Sequence, residues 1–189
     1  MARPKNPAHR DALLTAATRT FAALGLSVST AAIAKEAGVS SGTLFVYFDT
    51  KSVLINALYV SLKSEMGRVA AMALSGDASP REQLHTMWTR WIEWATADPD
   101  KRRALAHVSV AEDLTDESRH AVHEAYAGIA ELLGTIIADG PMQAAPLGFV
   151  STLMSAIADA TIDDLIDNPD PTGSRSDLAF EAMWRALAG

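Results

Sequence analysis

The chain has no cysteine. Disulfide stapling and thiol chemistry are therefore excluded, and a reducing compartment fits. Long uncharged runs are almost lacking too. The one that invites a membrane reading, Gly140 to Ala158, contains Pro141, Gln143, Pro146, Gly148, Ser151, Thr152 and Ser155 and is bracketed by Asp139 and Asp159. A spanning helix needs about 20 predominantly apolar residues. No membrane segment is expected, and the stretch reads as a helix that starts near Pro146 and is covered by protein. The opening MARPKNPAHR is basic but has no apolar run behind it, so a secretion signal is not expected and a cytoplasmic location is. There is no G-x-S-x-G, Walker loop, G-x-G-x-x-G or H-E-x-x-H. An enzyme has no visible support, and no cofactor or metal is expected. His107, His120 and His123 read as solvent-facing histidines, and Asp159, Asp163, Asp164 and Asp167 as a solvated acidic face. No stretch reads as a strand and no internal repeat is evident, so the fold class is all-α.

The densest information lies in Thr30 to Lys51, TAAIAKEAGVSSGTLFVYFDTK. Ser29 and Thr30 suit a helix N-cap ahead of an Ala-rich segment. Ile33, Ala34 and Ala37 recur on one face of that helix. Gly38 follows where a helix end wants a residue tolerant of positive φ. Val39 plugs the gap, and Ser40 or Ser41 caps a short second helix ending near Phe48. Leu44 and Phe48, spaced i, i+4, face inward. Ser41, Gly42, Thr43, Val46 and Tyr47 face outward. This set is small and uncharged, so the backbone can enter a major groove. Hydroxyls of Thr30, Ser40, Thr43 and Tyr47, with the Lys51 ammonium, can bond phosphate oxygens and fix register. Val46, Thr43 and Gly42 are candidates for base contact, Val46 against a thymine methyl.

The segment GVSSGTLFVYFDTKSVLINAL resembles the DNA-binding motif of the TetR family of transcriptional regulators. The match comprises Gly38, Val39, Ser40, Gly42, Leu44, Tyr47, Phe48, Lys51 and Leu54. Phe45 stands where the family usually has tyrosine, which removes one hydroxyl. The resemblance covers about the first third of the chain. It implies an N-terminal three-helix helix-turn-helix domain, 1–56, and a C-terminal helical domain for effector binding and dimerisation, 57–189, with about nine helices in all.

The formal net charge of −7 is unevenly spread. Residues 1–56 carry six basic and three acidic residues, a net +3; residues 57–189 carry ten and twenty, a net −10. Such asymmetry points to a nucleic-acid end and a different end. Arg3 to Pro7 is a short basic arm. Helix one should span His9 to Leu24, with Leu13, Leu14, Ala17, Phe21 and Leu24 inward. After the helix-turn-helix pair, a long helix should run from Lys51 to Leu74, packing Val53, Leu54, Ala57, Leu58 and Leu62 beneath the reader while Met66 and Val69 reach the next domain. A break follows around Ser75 to Pro80. Ser79, Pro80 and Glu82 make a helix start with serine at the N-cap and glutamate at N3. Further helices are expected to Ala97, from Pro99 to Glu112, from Thr115 to Asp139, from Ala145 or Pro146 to Asp167, and from Ser174 or Ser176 to Leu187.

Trp88, Trp91 and Trp94 sweep one broad face of the fifth helix with Leu84, Met87 and Ile92. Core packing accounts for at least one tryptophan. The sharper reading makes part of this face the wall of a cavity for a largely apolar ligand, formed by Met66, Trp88, Trp91, Tyr126 and Met154. On the last two helices, Leu153, Ile157, Leu165, Leu178, Met183 and Leu187 can form a seam among small residues. The resemblance implies that these helices pair with a second copy, and a two-fold dimer is what places two readers in successive major grooves. The function expected is a DNA-binding regulator, a repressor released from a palindromic operator by a small-molecule effector. The alternative is a regulator whose second domain is only a dimer scaffold or a protein-binding module.

Overall fold

A computed structural model describes residues 6–72, 77–123 and 126–189. The basic arm with Arg3 and Lys5, the far end of the long helix at Leu74, and the Ser75–Gly76 part of the expected break lie outside the described residues. Among those described there are ten α-helices and no strand. They are α1 (Pro7–Leu24), α2 (Thr30–Glu36), α3 (Ser41–Tyr47), α4 (Lys51–Ala71), α5 (Pro80–Ala97), α6 (Pro99–Ser109), α7 (Asp116–His123), α8 (Ala127–Ile137), α9 (Leu147–Asp167) and α10 (Ser174–Ala188), with a 3-10 turn at Gly25–Ser27. No helix among the described residues is long and apolar enough to cross a membrane.

The tenth helix arises because the expected helix from Thr115 to Asp139 is two. Tyr126 stands at the N-cap of α8 with φ −111° and ψ 1°, outside helical geometry. The apolar periodicity continues across this position, so the pattern gives no sign of the break. α6 also stops early, at Ser109.

Contacts divide the chain into two units: Met1–Ser64 with Asp98–Val122, and Glu65–Ala97 with His123–Gly189. α4 contributes to both. In the first unit α6 packs along α1, and α2 packs on α1 and α3. α6 had been expected in the second domain; Ala104, Leu105 and Val108 bury its apolar face. The core around them holds Leu13, Ala17, Phe21, Ile33, Leu44 and Leu54. Leu24 departs from its expected inward stripe and is 64% exposed; it is the last residue of α1, where φ −124° and ψ −2° already turn the backbone toward the 3-10 turn. Val53 is likewise exposed. Asn56 is buried and satisfies both ends of its amide. Its Nδ2 donates to the carbonyls of Ser52 (2.9 Å) and Asp113 (2.8 Å), and its Oδ1 accepts from the Thr115 amide (2.9 Å) and hydroxyl (3.1 Å).

In the second unit α5 packs on α8, α9 and α10, and α9 on α8 and α10. Leu84, Met87, Trp88, Trp91, Ile92 and Trp94 are all buried. Met183 and Leu187, expected in a seam toward a second copy, are fully buried within the unit instead. They fall on the α10 face that α5, α8 and α9 already cover. Leu178, on another face of α10, is 69% exposed.

Candidate nucleic-acid interface

The reader is built from local hydrogen bonds. Ser29 caps α2, its hydroxyl accepting from the Ala32 amide at 3.2 Å. Ile33 and Ala34 are buried on the inner face. α2 ends at Ala37, and Gly38 takes φ +68°, a conformation that a side chain disfavours. The Val39 amide donates back to the Ala34 carbonyl at 3.0 Å, which closes the turn. Ser40 then caps α3, accepting from the Thr43 amide at 3.1 Å. Leu44 and Phe48 are buried as expected, seating α3 against the core. Thr50 caps α4 by accepting from the Val53 amide at 3.1 Å.

The expected contact residues are all brought to this motif, yet several of their polar groups are engaged within the chain. Thr30 opens α2, half-buried; Ser40, Ser41, Gly42 and Val46 are exposed, and Thr43, Tyr47 and Lys51 half-buried. The Ser40 and Thr43 hydroxyls bond each other at 2.9 Å. The Tyr47 hydroxyl accepts from the Asn6 amide at 2.8 Å and donates to the Asn6 carbonyl at 3.0 Å. Asn6 is the N-cap of α1, so Tyr47 ties α3 to the start of that helix. The Lys51 ammonium donates to the Leu26 carbonyl in the 3-10 turn. His9 meets Tyr47 edge-on at 6.3 Å, and the Arg10 guanidinium lies 5.8 Å from the Phe48 ring centre.

Three further features were not foreseen as part of the site. The ties from Tyr47 to Asn6 and from Lys51 to Leu26 span 41 and 25 residues, beyond the reach of local pattern. The third is Phe45, 45% exposed beside Val46 at 53%. A signal existed for it: a large apolar residue standing off the Leu44–Phe48 stripe.

The residues expected to line an effector cavity all belong to the second unit. Met66, Trp88, Trp91 and Met154 are buried and Tyr126 is half-buried. Trp88 packs in the core, its indole N–H donating to the Ser176 hydroxyl at 3.0 Å. Two described cavities lie elsewhere. One, about 520 Å³, is in the first unit between Arg10, Ser52, Asn56, Ser61, Thr115 and Glu117; the other, about 490 Å³, runs over α9 and α10 beside Ala156, Ile157, Ala160 and Arg175. No group of three or more His, Asp or Glu able to hold a metal occurs among the described residues.

Two short helices around a positive-φ glycine, the second slim and exposed, define a helix-turn-helix protein. Residues 13–58 match the sequence model of bacterial regulatory proteins of the tetR family. Over 79 residues the chain is 40% identical to the HTH-type transcriptional regulator BetI of Agrobacterium fabrum, which covers 41% of this chain and 38% of that protein. The chain thus matches about two-fifths of the length of this curated relative. A tetR family transcription regulator structure from Shewanella sp. PV-4 superposes with a TM-score of 0.85 at 26% identity, covering 96% of this chain and 98% of that one. FadR from Bacillus subtilis, solved in complex with stearoyl-CoA, shares the fold with a TM-score of 0.72 at 18% identity, covering 94% and 99%. Residues 13–58 thus carry the DNA-binding domain of the tetR family of bacterial regulatory proteins, and the fold of nearly the whole chain is that of a tetR family transcription regulator.

Proposed function

We propose that this chain is a homodimeric repressor that binds a palindromic operator through α3 and is released by a small, largely apolar ligand. DNA binding is assigned to residues 1–56, and effector binding and dimerisation to 57–189. The observation that carries the reading is the outward side of α3, where Ser41, Gly42 and Val46 stand exposed without a charge to hold the helix off the base edges. The net +3 of residues 1–56 favours a polyanionic partner. Two readers reach successive major grooves only when held about 34–36 Å apart, which asks for a two-fold dimer. Exposed Phe149 and Leu178, with small Ala156 and Ala160 beside the α9–α10 groove, supply an apolar face for a second copy.

The effector is placed against Met66, Trp91, Tyr126 and Met154, with Trp88 behind them. The helices at Trp91, Tyr126 and Met154, α5, α8 and α9, pack on one another, and FadR, which shares the fold, was solved in complex with stearoyl-CoA. α4 has residues in both units, so a shift of its second half on ligand binding is felt at Lys51. Coupling of this kind typically amounts to about 1–3 kcal/mol. Such a regulator acts on chromosomal DNA in the cytoplasm. Gel-shift titration with the full chain tests the reading, and so does its mass in solution. Dimers that bind duplex with affinity falling steeply as salt rises are expected. A monomer that ignores duplex DNA even at low salt overturns it. A ligand present at 100 times its Kd should stabilise the chain by about 2.7 kcal/mol.

A further inference from the structure

The outward side of α3 holds no arginine, lysine, asparagine or glutamine. Those are the side chains that grip guanine or adenine with two hydrogen bonds. The hydroxyls that remain are mostly committed: Thr43 to Ser40, and Tyr47 to both the amide and the carbonyl of Asn6. What the helix does offer is apolar surface. Phe45 and Val46 are adjacent, both large and both about half exposed, although Leu44 and Phe48 on the other side are buried. An aromatic ring left in water on a seven-residue helix is surface that a partner can cover. On the floor of a major groove the one apolar group is the C5-methyl of thymine.

We infer that Phe45, together with Val46, reads thymine methyl groups, so that each half-site is specified at α3 by apolar contact and not by guanine recognition. Phe45 is thereby a specificity-determining residue, and the ligand class is a major groove bearing thymines under the recognition helix. This rests on the proposed DNA binding, and adds to it which bases are preferred and by what contact. Gly42 assists, since a residue without a side chain on the same outward face lets the ring approach the groove floor.

The test starts by selecting duplexes from a random library with the full chain, then replacing each selected thymine in turn by deoxyuridine, which removes only the methyl group. The inference expects about a fourfold weakening at one or two positions per half-site, the effect of one apolar carbon returned to water. In Phe45→Ala, thymine and deoxyuridine should become equivalent at one of those positions while the others keep their difference. Because the substitution is read against wild-type chain on altered DNA as well, a poorly folded variant does not remove the test. Selected sites without thymine under α3, or duplexes bound equally with thymine and deoxyuridine, would overturn the inference and leave DNA binding standing. Failure to select any duplex at low salt would instead sink the DNA-binding reading itself. If Phe45→Ala changed the oligomeric state and left thymine discrimination intact, the ring would belong to a protein interface and the inference would fall.

Discussion

The helix starts of the reader and the core-facing polar groups of the second unit differ in how far along the chain they look for partners, although Tyr47 and Lys51 give the reader two remote ties of its own. In residues 29–51 the helix starts are made by hydroxyls three residues from the amides they cap: Ser29 with Ala32, Ser40 with Thr43, Thr50 with Val53. In the second unit the defining contacts are remote. Trp88 reaches Ser176, Arg81 pairs with Glu181 and lies over the Phe180 and Trp184 rings, Trp94 donates to Glu65, and Gly140 lies against the end of α10. A motif set by local rules keeps its shape while surrounding residues drift. A domain set by remote contacts can be rebuilt around a different core or ligand. That contrast matches the comparisons, in which the curated relative aligns over about two-fifths of the chain while the fold extends over nearly all of it.

Glycines provide the strongest way to break this comparison. A Cβ on Gly140 would sit 2.3 Å from the Leu187 carbonyl oxygen and 3.0 Å from the Ala188 Cα. These are backbone atoms and cannot swing aside, so α10 must move at its end. Gly140→Ala should lower stability by about 3 kcal/mol, the upper range for overpacking, read from the denaturant midpoint. Gly38 poses the opposite problem: nothing lies within 4 Å of its Cβ position, but φ is +68°. Gly38→Ala should cost about 1–2 kcal/mol from backbone strain alone, and DNA affinity should fall with it as α3 is re-aimed. If the two costs were reversed in order, the second unit would be less tightly committed than its contacts imply.

Lys51 sharpens the boundary between a local and a remote role within the reader itself. Its ammonium is bonded to the Leu26 carbonyl, 25 residues earlier, yet the position at the start of α4 also suits a phosphate contact. Lys51→Ala should therefore show two effects. Stability should fall by roughly 1 kcal/mol for the lost hydrogen bond. The slope of log affinity against log salt should drop by roughly 1, with similar weakening on every sequence. Lost stability with an unchanged slope would assign Lys51 to holding the Gly25–Ser27 turn and nothing more.

The same division explains what could be read without coordinates. The caps at Ser29 and Ser79, the positive φ at Gly38 and the burial of Leu44 and Phe48 follow from residue types a few positions apart and were legible, as was a serine cap on α3, though not which of Ser40 and Ser41 makes it. The packing of α6 on α1 was not, because an apolar face does not name its partner. The same ambiguity put Met183 and Leu187 in a seam when they belong to the unit's own core. The break at Tyr126 escaped for a different reason: apolar spacing runs on through a position whose backbone is not helical. At the site, outward positions on α3 could be counted from helical periodicity. That the Tyr47 hydroxyl and the Lys51 ammonium already have partners inside the chain could not, since those partners are backbone groups far away in sequence.

The smallest expected effect concerns how the two regions respond to acid. The reader caps with neutral hydroxyls alone, whereas at α5 the Ser79 hydroxyl is joined by a carboxylate. Glu82 accepts from the Ser79 hydroxyl at 2.7 Å and amide at 2.8 Å, and these bonds hold its acid below the usual range. Asp170, at the start of α10, is depressed further by the Arg175 amide, Thr172 and Ser174. A group whose folded pKa is depressed stabilises above its ordinary pKa and loses that contribution as pH falls through the folded value. For Glu82 the contribution is present above the ordinary value of 4.5 and fades below it. Glu82→Gln should thus lower the thermal midpoint slightly at neutral pH and converge on wild type as the medium is acidified. Ser29→Ala and Ser40→Ala should lower it by the same amount at both pH values. A Glu82→Gln deficit that persisted unchanged into acid would mean that the cap works through its shape and hydrogen bonds alone, and that charge has no part in starting α5.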